Sequence, residues 1–121
     1  MIDLVATYHD WSEALIAATG ASHATLHVSV GMGLFLLVQL LVDDRRASAF
    51  ALAAVAYAEV TNEVLQFLYH GSWRWADTLG DIGATLFWPA AVLFVGTSRR
   101  RRWARRHAQA VAITSRLVPS R

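Results

Sequence analysis

The sequence contains no cysteine. Disulfide bonds, thiolate nucleophiles and cysteine-based zinc or iron–sulfur sites are therefore excluded. Charged residues are also few, at 17 % of the 121 residues, whereas 55 % are hydrophobic. The mean hydropathy of +0.36 indicates a membrane protein, and the length fits a single domain over residues 1–121.

The first three residues, Met1-Ile2-Asp3, include no basic residue. A cleavable signal peptide has a positively charged region before its apolar run. We therefore expect no cleavable signal, and we expect the membrane segments themselves to direct insertion.

Acidic residues are missing from the C-terminal end. Residues 99–121 hold eight of the eleven arginines and no acidic residue, whereas residues 1–98 hold three arginines and nine acidic residues. Membrane proteins retain arginine on the cytoplasmic side, so residues 99–121 are predicted to be a basic cytoplasmic tail. This tail lacks the repeated aromatic residues on which bases stack, so no nucleic-acid partner is predicted.

Three segments are long enough to cross about 30 Å of hydrocarbon at about 1.5 Å per helical residue. They are residues 22–42, 47–70 and 77–98. The run Asp43-Asp44-Arg45-Arg46 is a charged turn suited to joining the first two segments. The sequence thus predicts an all-α, polytopic membrane protein with three transmembrane helices.

Residues 1–20 are too polar and too short to span a membrane. Their larger apolar residues recur at helical spacing on one side: Leu4, Tyr8, Trp11 and Leu15. This pattern predicts an N-terminal interfacial helix, separated from the first span by Gly20. With the arginines inside, the chain is predicted to lie in the bacterial inner membrane with its N-terminus outside.

Polar residues lie toward the predicted outer ends of all three spans. In the second span they recur on one helical stripe: Glu59, Asn62, Glu63, Gln66 and His70. The first span carries His23 and His27, and the third carries Asp77 and Asp81, each pair at i, i+4. The other faces of the second span are apolar, so we expect the stripe to point inward.

Ionisable residues inside a membrane cost about 2.5–3.5 kcal/mol each on insertion scales and usually pair with one another or line a wet cavity. The outer half and the N-terminus hold seven carboxylates against one arginine and four histidines. The sequence therefore predicts protonated carboxylates, protonated histidines or a bound cation. Structural roles stay open: Asp77 fits a helix N-cap, and Glu59, Glu63 and Gln66 fit interhelical packing.

An ordered set of motifs in residues 23–96 resembles the VanZ-like family of bacterial membrane proteins. The motifs are Glu63-Val-Leu-Gln66-Phe67, a loop with Arg74, Asp77-x-x-x-Asp81 leading into Gly83-Ala84, and the upstream His27. The resemblance implies a role at the cell envelope, since VanZ-like proteins are associated with low-level resistance to glycopeptide antibiotics such as teicoplanin. It also implies a family-like polar core of Glu63, Gln66, Arg74, Asp77 and Asp81.

The leading hypothesis is a protein that binds a lipid headgroup or a cell-wall precursor in an outward-facing polar cavity. Arg74 would contact an anionic group, and His27 would adjust protonation. The carboxylates and the amide would bind polar or cationic groups of the ligand: Glu59, Glu63, Gln66, Asp77 and Asp81.

Two alternatives stay open at this stage. One is an enzyme in which a divalent metal activates water against a phosphate or an ester. Its ligands would be His23, His27, Glu63, Asp77 and Asp81, although the H-E-x-x-H pattern is missing. The other is a proton- or cation-handling subunit that forms a homo-oligomer through stripes of small residues. No catalytic residue is assigned, no cofactor beyond this metal is predicted, and membrane lipids are the expected partners.

Overall fold

The computed structural model describes residues 2–42 and 47–117 of the chain. These residues form four α-helices: α1 (Ile2–Thr19), α2 (His23–Leu41), α3 (Ala47–His70) and α4 (Trp75–Leu117). The described residues include no strand, so the all-α prediction is confirmed. The predicted charged turn, Asp43-Asp44-Arg45-Arg46, lies outside the described residues.

Two helices of the described chain are long and apolar enough to cross a membrane. They are α2 and the Trp75–Thr114 part of α4. At 24 residues α3 is long enough, but with its polar stripe it is not among the helices that are apolar enough. Length and composition therefore support two of the three predicted spans.

The predicted ends of the first two spans agree with the helices. The second predicted span, 47–70, has the same bounds as α3. Ser22 caps α2, because its side-chain oxygen accepts a hydrogen bond from the Thr25 backbone N–H at 3.2 Å. Val42 follows the last residue of α2 as its C-cap.

The third predicted span ends at 98, but α4 continues to Leu117 without a break. Arginine and alanine are good helix formers, so the arginine-rich segment extends the helix. The chain divides into two compact units, residues 1–90 and residues 91–121. The first unit contains α1, α2, α3 and the beginning of α4, and it holds every residue of the candidate site.

Glycines with positive φ follow two helices. Gly20 (φ +64°) follows α1, and its N–H bonds to the Ile16 carbonyl at 2.9 Å. Gly71 (φ +71°) follows α3, and its N–H bonds to the Phe67 carbonyl at 2.8 Å. A left-handed backbone is costly for residues with a Cβ, so glycine suits both turns.

A small apolar core joins α2 to α3. Phe35 of α2 and Ala51 and Val55 of α3 are buried together. One turn beyond Val55 on α3, the next buried side chain is Glu59. The packing of the two helices therefore changes from apolar to polar at this level, and the candidate site begins there.

Candidate functional site

A hydrogen-bonded group of three side chains joins α2, α3 and α4. Thr85 of α4 donates its hydroxyl hydrogen to Glu59 Oε2 of α3 at 2.8 Å. Nδ1 of His27, on α2, lies 2.9 Å from Thr85 Oγ1 and 3.3 Å from Glu59 Oε2. Because the Thr85 hydrogen is directed to Glu59, the Thr85 oxygen can accept a hydrogen bond from a protonated Nδ1.

The other ring nitrogen of His27 faces a second carboxylate. Nε2 lies 3.5 Å from Asp81 Oδ2, and the His27 side chain is 14 % exposed. With Nδ1 protonated, this contact is a hydrogen bond only if a proton lies on Nε2 or on the carboxyl of Asp81. The imidazole can therefore pass a proton to and from Asp81 while Nδ1 stays bonded to Thr85.

Three buried polar atoms near this group have no hydrogen-bond partner among the described residues. They are Glu59 Oε1, Asn62 Nδ2 and Glu63 Oε1. The residues Glu59 and Glu63 are only 5 % and 4 % exposed. Nearly all buried polar atoms in folded proteins have a partner, so these three mark places where a missing group can bind.

The N-terminal helix α1 contributes to the site through Tyr8. The Tyr8 hydroxyl donates a hydrogen bond to Asn62 Oδ1 at 2.6 Å. Burial, followed by the negative charges of Glu59 and Glu63, raises the pKa of Tyr8 above its usual value. The phenol therefore stays protonated at neutral pH and acts as a hydrogen-bond donor.

A second aromatic contact also attaches α1 to α3. The ring of His9 stacks on the ring of Tyr69, with 3.9 Å between the ring centroids. Val5 of α1 is buried as well. The interfacial helix predicted from residues 1–20 is thus packed against α3 and forms one wall of the site.

A cavity of about 360 Å³ lies between α1, α2 and α3 and reaches Thr85 of α4. Its polar lining comes mainly from Tyr8, His9, Glu13, His23, His27, Glu59, Asn62, Gln66, His70 and Arg74. Its apolar lining comes mainly from Val5, Leu15, Ile16, Leu26, Val30, Leu34, Val55, Ala58 and Leu65. The cavity therefore offers both polar partners and apolar contact to one ligand.

The seven predicted binding residues fall into two groups. His27, Glu59, Gln66 and Arg74 line the cavity. The three other residues are not part of the described lining: Glu63, Asp77 and Asp81. The first group is therefore placed to contact a ligand in the cavity.

Arg74 is already paired. One of its terminal guanidinium nitrogens lies 2.6 Å from Asp77 Oδ2, and both side chains are more than half exposed. Asp77 therefore offsets much of the positive charge that Arg74 brings to the cavity. Thr78, the next residue, is buried.

The five predicted metal ligands do not converge. Nε2 of His23 lies 3.6 Å from the exposed Glu13, whereas His27 contacts Asp81. Within residues 2–42 and 47–117, no three histidine, aspartate or glutamate side chains are grouped so as to hold a metal ion. The metal-dependent hydrolase hypothesis thus gains no support from the geometry.

The sequence interpretation missed Thr85, although a signal was present. Asp77, Asp81, Thr85 and Pro89 recur every four residues, so they lie on one face of α4. A lone hydroxyl in an apolar span carries no charge to be offset, so Thr85 was not predicted as a site residue. Tyr8 was assigned to the interfacial helix, because no periodicity shows which helix it contacts.

The chain matches no family model, no curated protein and no solved structure. The resemblance to VanZ-like proteins therefore remains a prediction from the order of the motifs.

Proposed function

We propose that this chain is a VanZ-like protein of the bacterial inner membrane that binds an envelope amphiphile, through a lipid headgroup or a cell-wall precursor. The observation that carries the proposal is the cavity between α1, α2 and α3, in which buried polar groups without partners adjoin an apolar wall. Pockets for small molecules combine a mostly apolar lining with a few placed polar groups.

The exposure of the apolar helices supports a membrane location. Only 11 % of the apolar stretch is buried in α2, and the same share is buried in α4. The core helix of a soluble protein would be mostly buried. Large apolar side chains stay exposed on α2, where Leu40 is 83 % exposed and Leu41 is 75 % exposed. Such contiguous apolar surface suits lipid contact.

The third span is proposed to be α3. Its polar stripe faces the cavity and the neighbouring helices, whereas Phe50, Tyr57 and Val60 are exposed on its other sides. In a membrane the polar residues of a spanning helix lie inside the bundle, and the apolar residues face lipid. The distribution along α3 follows this rule.

Aromatic residues mark the proposed outer interface. The rings of Phe67, Trp73 and Trp75 stack in series, with centroids 4.7 Å and 5.4 Å apart. Tryptophan is enriched at membrane–water interfaces. This position would place the polar end of the cavity near the headgroups on the outer side, where an envelope lipid or precursor is available.

Blocking the cavity tests the proposal. Ala58 lines it, so in Ala58→Phe the added ring occupies the ligand space. Ala53, also exposed and on α3, is not part of the described lining, so Ala53→Phe is the matched control. We expect Ala58→Phe to bind co-purified lipid or added cell-wall precursor at least about tenfold more weakly than the wild type, which corresponds to about 1.4 kcal/mol of binding free energy. Native mass spectrometry measures the amount retained.

Equal retention by the wild type, Ala58→Phe and Ala53→Phe would show that the cavity is not the binding site. Circular dichroism and gel filtration in detergent check that both variants keep the wild-type fold.

A further inference from the structure

Glu59 is a buried carboxylate in which one oxygen accepts a hydrogen bond and the other has no partner among the described residues. Oε2 accepts a hydrogen bond from Thr85 and lies 3.3 Å from His27 Nδ1. Oε1 is buried without a partner among the described residues, although the side chain lines the cavity. The cavity thus borders the residue whose Oε1 lacks a donor.

The charge around Glu59 defines what the missing donor must be. Glu63 lies one turn further along α3, and Asp81 lies on the far side of the His27 ring. Arg74 also lines the cavity, but its guanidinium is bound to Asp77. A protonated His27, 3.3 Å from Glu59 and 3.5 Å from Asp81, offsets part of this negative charge but leaves Oε1 unpaired. A cationic donor would satisfy that oxygen and offset more of the negative charge.

Asn62 adds a second requirement. Its Oδ1 accepts from Tyr8, whereas its Nδ2 donor is buried without a partner among the described residues, and the side chain lines the cavity. Asn62 and Glu59 are separated by i, i+3, which places their Cβ atoms about 5–6 Å apart on one face of the helix. A ligand that binds both side chains needs a cationic nitrogen for Glu59 and an acceptor oxygen for Asn62, separated by a distance similar to that between the two Cβ atoms.

We infer that the cavity selects amphiphiles with a primary ammonium group, whose N–H groups bind Glu59 Oε1 while a neighbouring ester or phosphate oxygen accepts from Asn62. This inference rests on the proposed function and names the ligand class for the same cavity. A quaternary ammonium has the charge but no N–H, so it leaves Oε1 unpaired. A glycerol headgroup has hydroxyl donors but no positive charge, so its lipid keeps the net negative charge of the phosphate.

The first test uses the wild-type protein and three glycerophospholipids with identical acyl chains. Their headgroups carry ethanolamine, its N,N,N-trimethyl analogue or glycerol. Affinity is measured by native mass spectrometry on delipidated protein in detergent. We expect the ethanolamine lipid to bind at least about tenfold more tightly than the other two, since only it supplies both charge and N–H donors.

The second test compares Glu59→Gln with Glu63→Gln. The two glutamates are equally buried on α3, and each has one unpartnered oxygen, but only Glu59 is part of the described cavity lining. Glu59→Gln should bind the three lipids within about twofold of one another. Glu63→Gln removes a neighbouring carboxylate but leaves Glu59 Oε1 in place, so it should reduce the preference for ethanolamine much less than Glu59→Gln does.

The outcomes separate the inference from the proposed function. Binding of all three lipids by the wild type with equal affinity would overturn the ammonium inference and leave the amphiphile cavity in place. Binding of none of the three lipids would overturn the ammonium inference and lipid binding by the cavity. Binding of a cell-wall precursor by the wild type but not by Ala58→Phe would then still support the proposed function. Loss of the preference in Glu59→Gln and Glu63→Gln alike would show that the total charge is recognised, and would remove the role of Glu59 Oε1.

Discussion

Thr85 connects three helices through a single hydroxyl group. Its oxygen lies 2.8 Å from Glu59 on α3 and 2.9 Å from His27 on α2, and the residue is 4 % exposed. We expect Thr85→Val to lower the free energy of unfolding by about 1–3 kcal/mol, because it leaves a buried carboxylate oxygen short of a donor. Thermal unfolding in detergent, followed by circular dichroism, measures this loss.

Two variants control for this prediction. Thr85→Ser keeps the hydroxyl and should recover most of the lost stability. Thr61→Val removes a hydroxyl that is exposed and bonds only to the Tyr57 carbonyl of its own helix, so it should cost little. If Thr85→Val is as stable as the wild type, the hydroxyl does not hold the three helices together.

The residues of the site could be predicted from the sequence only in part. The stripe spacing indicated that Glu59 and Glu63 face inward, and both are buried. His70 belongs to the same stripe but is exposed at the end of α3. Helical periodicity shows which face of a helix a residue lies on. How deeply that residue is buried depends on the neighbouring helices, and the periodicity carries no information about their positions.

At the scale of helices, α2 and α4 approach each other closely at Gly31. A Cβ built on Gly31 would lie 2.6 Å from the Thr85 carbonyl oxygen and 2.9 Å from Thr85 Cγ2. Pro89, four residues after Thr85, is fully buried and has no N–H to bond that carbonyl. The proline thus frees the carbonyl of Thr85, and the glycine leaves room for it.

We expect Gly31→Ala to destabilise the protein by about 1–3 kcal/mol, because the new methyl group meets a backbone atom that cannot rotate away. Gly33→Ala is the matched control on the same helix, since nothing lies within 4 Å of its added Cβ. It should be neutral or stabilising by up to about 1 kcal/mol through helix propensity. Chemical unfolding of both variants in mixed micelles measures the difference.

An equal effect of the two alanines would mean that α2 and α4 do not meet closely at Gly31. In that case the contact between His27 and Thr85 would also lose its structural basis. The two variants therefore test the helix packing on which the site depends.

The helix boundaries were predictable where the chain itself marks them. Gly71 follows α3 and Ser22 caps α2, and the predicted bounds of these two spans lie within one residue of the helix ends. The third span was predicted to end at residue 98, where the sequence changes from apolar to basic residues. That change alters the hydropathy but not the helix propensity, so α4 continues.

At the scale of the whole molecule, the question is whether α3 crosses the membrane together with α2 and α4. With three spans, Ala18 before α2 and Ser72 after α3 lie on the outer side, and Ala104 on α4 lies inside. If α3 does not cross, Ser72 lies on the opposite side from Ala18. The three positions are exposed, and the chain has no cysteine of its own.

Single cysteines at these positions decide between the arrangements. In intact cells, a membrane-impermeant maleimide should label Ala18→Cys and Ser72→Cys, whereas Ala104→Cys should react only after permeabilisation. Labelling of Ala18→Cys without Ser72→Cys would mean that α3 does not cross, and the polar stripe would then not need to be shielded from lipid. The reverse of the expected pattern would place the arginine-rich part of α4 outside, against the preference of arginine for the cytoplasmic side.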